Sequence, residues 1–169
     1  WNQLLVNGVL SGTKEDLERY VHQGLVDLVL HEVGHTLGLR HNFKASSIYS
    51  VEQLSDKNFT KKYGISGSVM DYHPVCLLDG GNTLFQTKPG PYDMWAIQYG
   101  YEQFNDNNLL KNLENIASQS NHPLLVYGTD EDSFGTSSRG IDPLCNTWDM
   151  SSNPIDFYKD ELEKVNFLW

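Results

Sequence analysis

Apolar residues recur at helical spacing early in the chain. Leu17, Val21, Leu25 and Leu28 follow one another at intervals of four and three, with Val29 alongside. That period lines up one face of an α-helix. Thr13, with Asp16 three residues later, reads as an N-cap. The pattern predicts a helix from about 14 to about 38, with Gly24 a weak point. Gly38 is a natural stop, because glycine enters the left-handed conformation that ends helices. Residues 42–68 are polar and predict irregular chain with one short helix near 51–63, and 68–74 (SVMDYHP) reads as a tight turn before Pro74. Asp79-Gly-Gly-Asn82 marks a loop. A helix is expected over 91–101, where Pro91 suits the first turn and Met94, Ile97 and Tyr101 share a stripe. An amphipathic helix follows at about 105–119, through Leu109, Leu110, Leu113 and Ile116. Residues 127–152 read as a long loop, and a last helix starts near Pro154 with Ile155, Tyr158, Leu162 and Val165 apolar. The first ten residues hold a short apolar stretch too brief to assign. The elements make a mainly α chain with little β.

Composition narrows the picture modestly. The 169 residues suit one domain with a real core, and seven Phe, nine Tyr and four Trp offset a hydrophobic share of 39%. A net charge of −10 and a pI near 4.8 argue against nucleic-acid binding, which normally needs a basic patch. No run of about 18 apolar residues suggests a membrane span, and no signal peptide is visible. The chain opens on Trp and closes on Phe-Leu-Trp, and reads as a piece of a longer protein. Cys76 and Cys145 fit no CxxC motif, and a disulfide and two free thiols stay equally open.

The helix predicted at 14–38 carries polar residues that packing alone does not explain. In HEVGHTLGLRH, residues 31–41, His31 and His35 are four apart and lie on one face. Two neutral imidazoles can serve one cation such as zinc, but a catalytic zinc needs a third protein ligand and one open position. Gly38 allows a sharp turn that brings His41 back toward the same ion. Water at the open position would have its pKa lowered to about 7. Glu32, next to His31, is placed to take that water's proton and return it to a leaving amine. A glutamate there serves as a base in a dry pocket rather than as a fourth ligand. A lone HExxH arises by chance on amphipathic helices; the added glycine and third histidine make the signal specific. His22 reads as an ordinary surface or satisfied core histidine.

HEVGHTLGLRH resembles the zinc-binding consensus of the metzincin metallopeptidases, HExxHxxGxxH, at every fixed position. Ser68-Val-Met70-Asp-Tyr72 is similar to their methionine turn, 29 residues after His41. The resemblance implies that Met70 forms an apolar floor under the histidines, and plain core packing would place it similarly. It also implies that Tyr72 approaches the metal, as a tyrosine at that offset does in astacin-like and serralysin-like members. A phenol there would stabilise a developing oxyanion; the bland alternative is a buried tyrosine with a satisfied hydroxyl. His73 reads as an exposed neighbour. Asp93-Met-Trp-Ala-Ile-Gln98 resembles the start of the C-terminal helix of serralysins and matrixins, which packs beside the active-site helix. Asp93 there suits anchoring a turn or a backbone amide. The closest resemblance is to large bacterial secreted or envelope zinc-dependent metalloproteases. These combine HEVGHTLGLRHNF, an SVMDY-type turn, a YDxWAIxYGY segment and a later TDED…DP…D stretch, matched here from about 20 to 160. A secreted, periplasmic or envelope location follows from that resemblance.

Asn42, after the third histidine, departs from the astacin, serralysin and matrixin patterns. Only 30 residues precede His31, too few for the twisted sheet that binds extended substrate in metzincins. The expected architecture is therefore the C-terminal half of a zincin, built around the active-site helix and methionine turn. The upstream sheet subdomain is missing. The chain divides into a zinc-site core at 14–101 and a helical, acidic-loop extension at 102–169. Asp130, Glu131, Asp132, Asp142 and Asp149 fall within twenty residues. They could serve calcium, which takes six to eight oxygens, or form a solvated acidic loop with Asx turns. The expected function is a zinc-dependent endopeptidase acting on peptide or protein substrates. A zinc-stabilised non-catalytic module and a zinc amidase acting on cell-wall peptides are the alternatives.

Overall fold

A computed structural model describes residues 11–105, 108–133 and 142–168, with side chains to 163. Helix α1 spans Lys14–Thr36, followed by a 3-10 turn at Ala45–Ile48, α2 at Val51–Ser55 and α3 at Lys57–Tyr63. Helices α4 (Pro91–Tyr101) and α5 (Leu109–Ala117) come next, then 3-10 turns at Ser118–Asn121 and Pro123–Leu125. A one-turn α6 (Asp130–Ser133) and α7 (Pro154–Leu168) complete the order, and no strand occurs among the described residues. None of these helices is long and apolar enough to cross a membrane.

The helical expectations hold with local changes. Thr13 caps α1 by accepting from the Asp16 amide at 3.2 Å, while Asp16 turns outward to Ser11. The single helix expected at 51–63 is two, because the Asp56 carboxylate restarts the chain by accepting from the Asn58 and Phe59 amides. The helix expected at 105–119 is confined to Leu109–Ala117 and ends in a 3-10 turn. Parts of two expectations, residues 106–107 and 134–141, and the Val165 side chain lie outside the described residues.

The apolar stripe of α1 does not pack: Leu17, Val21, Leu25, Leu28 and Val29 are all exposed, Val29 at 57%. The face turned inward carries Tyr20, Gly24, Asp27, His31 and Gly34. Tyr20 meets Phe85 edge-on at 5.3 Å, and Gly24 lies under the same ring. The Gln23 side-chain oxygen accepts from the Leu84 amide at 2.8 Å. Helical period shows only that apolar residues align; which face is buried depends on what else is there. Among the described residues there is no sheet to cover this face.

The core lies on the other side of the histidines, where Tyr49, Leu54, Ile65, Cys76, Met150 and Phe157 pack together. Both cysteines are free and buried. Helix α4 meets α1 at their C-terminal ends, where Tyr101 donates to the Leu37 carbonyl at 3.0 Å. The last third of the chain is tied to the first half. Phe43 donates to Gly128, Trp148 to Tyr72 and Ser151 to Ser46 through backbone bonds of 2.8–3.1 Å.

Candidate metal centre

Helix α1 ends in a Schellman turn: Leu39 N–H returns to Gly34 C=O and Gly38 N–H to His35 C=O, both at 3.0 Å. Gly38 sits at φ +90, open to glycine at little cost. The turn does two things. It redirects the chain so that His41 faces the helix, and it aims the Leu39 carbonyl at His35 Nδ1, 3.0 Å away.

Each of the three histidines is held through Nδ1. His31 Nδ1 donates to the Val69 carbonyl at 2.8 Å, His35 Nδ1 to Leu39, and His41 Nδ1 to the Asp130 carboxylate at 3.1 Å. An acceptor on Nδ1 selects the Nδ1–H tautomer and leaves the Nε2 lone pair for a cation, the support that metal-binding histidines need. The three rings meet with centroids 4.7–5.4 Å apart, and their ligand atoms lie within 4.8 Å of one another. Burial lowers the His31 pKa, helped by its two histidine neighbours, so its ring is held neutral. The set therefore fits a metal ion with three nitrogen ligands.

The methionine turn closes the site from below. Met70 is fully buried, and a Cβ on Gly34 would stand 2.3 Å from its sulfur. Gly34 thus lets the sulfur sit directly against the helix between the two helical histidines. Asp93 fastens the turn at three points, accepting from the Ser68 hydroxyl at 2.5 Å, the Val69 amide at 2.8 Å and the Gly90 amide at 2.7 Å. It serves both the turn and backbone amides, and burial still raises its pKa. Tyr72 reaches the centre: its hydroxyl lies 2.9 Å from His41 Nε2 and donates to it in this arrangement.

The Met-zincin family model matches residues 13–169 of the chain. The chain belongs to the Met-zincin family. Comparisons with curated proteins and with solved structures find no match. In this Met-zincin the histidine trio is, among the described residues, the group of His, Cys, Asp or Glu side chains that can hold a metal ion.

Two expected surroundings differ. Glu32 is exposed rather than in a dry pocket, because the helix face it shares is uncovered. It still borders a cavity of about 310 Å³ together with His31 and Tyr72. His73 is buried, not exposed: the chain leaving the methionine turn passes inward, and neither ring nitrogen has a hydrogen-bond partner. Burial pushes its pKa down to about 3.

The acidic loop sends its carboxylates to separate partners. Asp130 orients His41; Glu131 takes Arg40 in a bidentate pair at 2.8 and 2.9 Å. Asp132 accepts from the Thr129 amide, and Asp142 pairs with Lys44 and turns back on the Leu144 amide. Asp149 is buried against the Ser46 hydroxyl, and burial pushes its pKa to about 6. The Asx turn is present at Asp142, and the carboxylates form no group of three within 4.8 Å of one another among the described residues.

Sequence reasoning did not single out Asp130 as a histidine partner, Gly34 or Trp148, and gave Asn42 no structural role. Asn42 is fully buried and joins three segments: its amide donates to Met70, its side chain to Val126, and its Oδ1 accepts from Gly128. A glycine between two ligand histidines was a readable sign of close approach. Nothing local could pair His41 with a carboxylate 89 positions away.

Proposed function

We propose that this Met-zincin is a zinc-dependent endopeptidase. The observation that carries the reading is the convergence of His31, His35 and His41, each with its Nδ1 held by an acceptor, beside a cavity shared by Glu32 and Tyr72. Zinc bound there would supply Lewis acidity toward the peptide carbonyl and toward a water. Glu32 borders the cavity next to His31, where it takes the proton of the attacking water and passes it to the leaving amine. The Tyr72 hydroxyl, which donates to His41 Nε2 here, would give up that bond once Nε2 takes the metal and would then be free to donate to the developing oxyanion. Asp130 and the Leu39 carbonyl keep the rings oriented while charge changes at the centre. Family membership supports a metallopeptidase, and the acceptors on the three Nδ1 atoms support the tautomer that leaves each Nε2 for a metal.

The test is Glu32→Gln in the full-length protein, assayed on unfolded protein and a peptide library. Bound zinc is expected to stay stoichiometric while turnover falls by about 10²–10⁴-fold, the usual weight of a general base. Undiminished turnover would sink the mechanism. A wild-type protein that holds zinc and cleaves nothing would favour a non-catalytic zinc module instead.

A further inference from the structure

We propose that the cavity beside His31 and Glu32 selects a basic side chain, arginine or lysine, next to the bond that is cleaved. The inference rests on the peptidase reading above and adds the chemistry of the substrate. The cavity is lined by three carboxylate residues, Asp27, Glu32 and Asp71, by the His73 ring and by the Trp148 indole, and no Lys or Arg among the described residues lines it. Asp27 is set into the cavity wall by α1 and is held by the Gln86 amide alone among its named partners. Burial pushes its pKa up to about 6, a penalty that an incoming cation would relieve. Asp71 is fully enclosed and accepts from the Ser46 and Tyr72 amides at 2.8 and 2.7 Å, which leaves Asp27 and Glu32 as the carboxylates an incoming cation would meet.

The second, independent sign is His73. Its side chain is only 2% exposed, both nitrogens lack hydrogen-bond partners, and Nε2 stands 4.0 Å from Asp71. A neutral imidazole lining the wall with an unfilled acceptor is suited to one N–H of a guanidinium or ammonium group. Trp148 completes the pocket. Its backbone is held at φ 64, where tryptophan is rare, and its amide donates to the Tyr72 carbonyl at 2.8 Å. The indole stacks on the Tyr72 ring at 5.9 Å and 27° yet remains 61% exposed, offering an aromatic face to a cation.

The experiment uses the full-length protein, zinc-loaded and metal-free, and two blocked peptides differing only in arginine or citrulline at one position. Citrulline keeps the shape and removes the charge. Binding is read by calorimetry and Trp fluorescence, and cleavage by kcat/KM. The arginine peptide is expected to bind about tenfold tighter, with the ratio shrinking as salt is raised. Asp27→Asn is expected to bring the ratio within about twofold. Trp148→Asn, at an exposed position where asparagine tolerates the backbone, is expected to lower it in part. A wild-type ratio near one, or a ratio indifferent to Asp27→Asn in folded protein, overturns the inference. Cleavage without charge preference overturns this inference alone. Charge-selective binding without cleavage overturns the peptidase reading and supports the pocket.

Discussion

Gly34 shows how tightly single residues are constrained around the histidines. It lies between His31 and His35 on the side that meets Met70, and the place of its missing Cβ is 2.3 Å from the Met70 sulfur and 3.7 Å from Leu39. Alanine there would force Met70, which is fully buried, to shift along with the backbone it floors. Overpacking of this kind costs about 1–3 kcal/mol. Gly34→Ala is therefore expected to lower the denaturant midpoint of metal-free protein by that equivalent and to weaken zinc binding. Unchanged stability would mean that Met70 has room to move. Residue spacing alone identified His31, Glu32, His35 and His41 because helix geometry ties spacing to direction. The Gly34–Met70 contact joins two segments 36 positions apart and needed the fold.

Among the elements, the single turn of α6 has an influence out of proportion to its size. It places Asp130 on His41 Nδ1 and Glu131 on Arg40, so two neighbouring residues of the third-ligand turn are held by two neighbouring carboxylates. The Asn42 bridges to Val126 and Gly128 fix the strand of chain that leads into α6. Removing the carboxylate charge should matter more to the metal than to the fold, since the Asp130 side chain is only half-buried. Asp130→Ala is expected to reduce zinc affinity by about 10–100-fold, the usual weight of an outer-shell partner. Competition with a chelator would measure it, and an affinity within twofold of wild type would deny Asp130 that role. The helices themselves could be read from the sequence: Thr13, Pro91 and Pro154 mark starts whose chemistry is local. The split at Asp56 is also local, a side chain capping its own successor.

At the scale of the whole molecule, burial of ionisable groups makes stability depend on pH in two opposing ways. His73 has a folded-state pKa of about 3 against an ordinary 6.5. Between those values the unfolded chain binds a proton that the folded chain refuses, so this contribution is present above pH 6.5 and is lost as pH falls. Asp27 and Asp149 are pushed to about 6 from 3.8 by burial, and their sign is opposite. The folded state then holds protons that the unfolded state releases, so their contribution is present below pH 3.8 and is lost as pH rises through 6. His73→Leu removes only the first effect. The variant of the metal-free protein is expected to gain stability relative to wild type as pH drops from 7 to 5, read from denaturation midpoints. Parallel pH profiles for the two proteins would show that His73 is not held neutral. The sequence by itself determined the candidate histidine trio, the glutamate beside it, the turn that returns His41 and the positions of the main helices. All of these follow from periodicity, capping and glycine backbone freedom, which act within a few residues. Only the tertiary structure decided that α1 buries its polar face and exposes its leucines and valines, that Asp130 serves His41, that His73 is enclosed and that Trp148 stands over the cavity. Burial and hydrogen-bond partnership are set by segments distant in the chain, and local sequence pattern carries no record of which distant segment arrives.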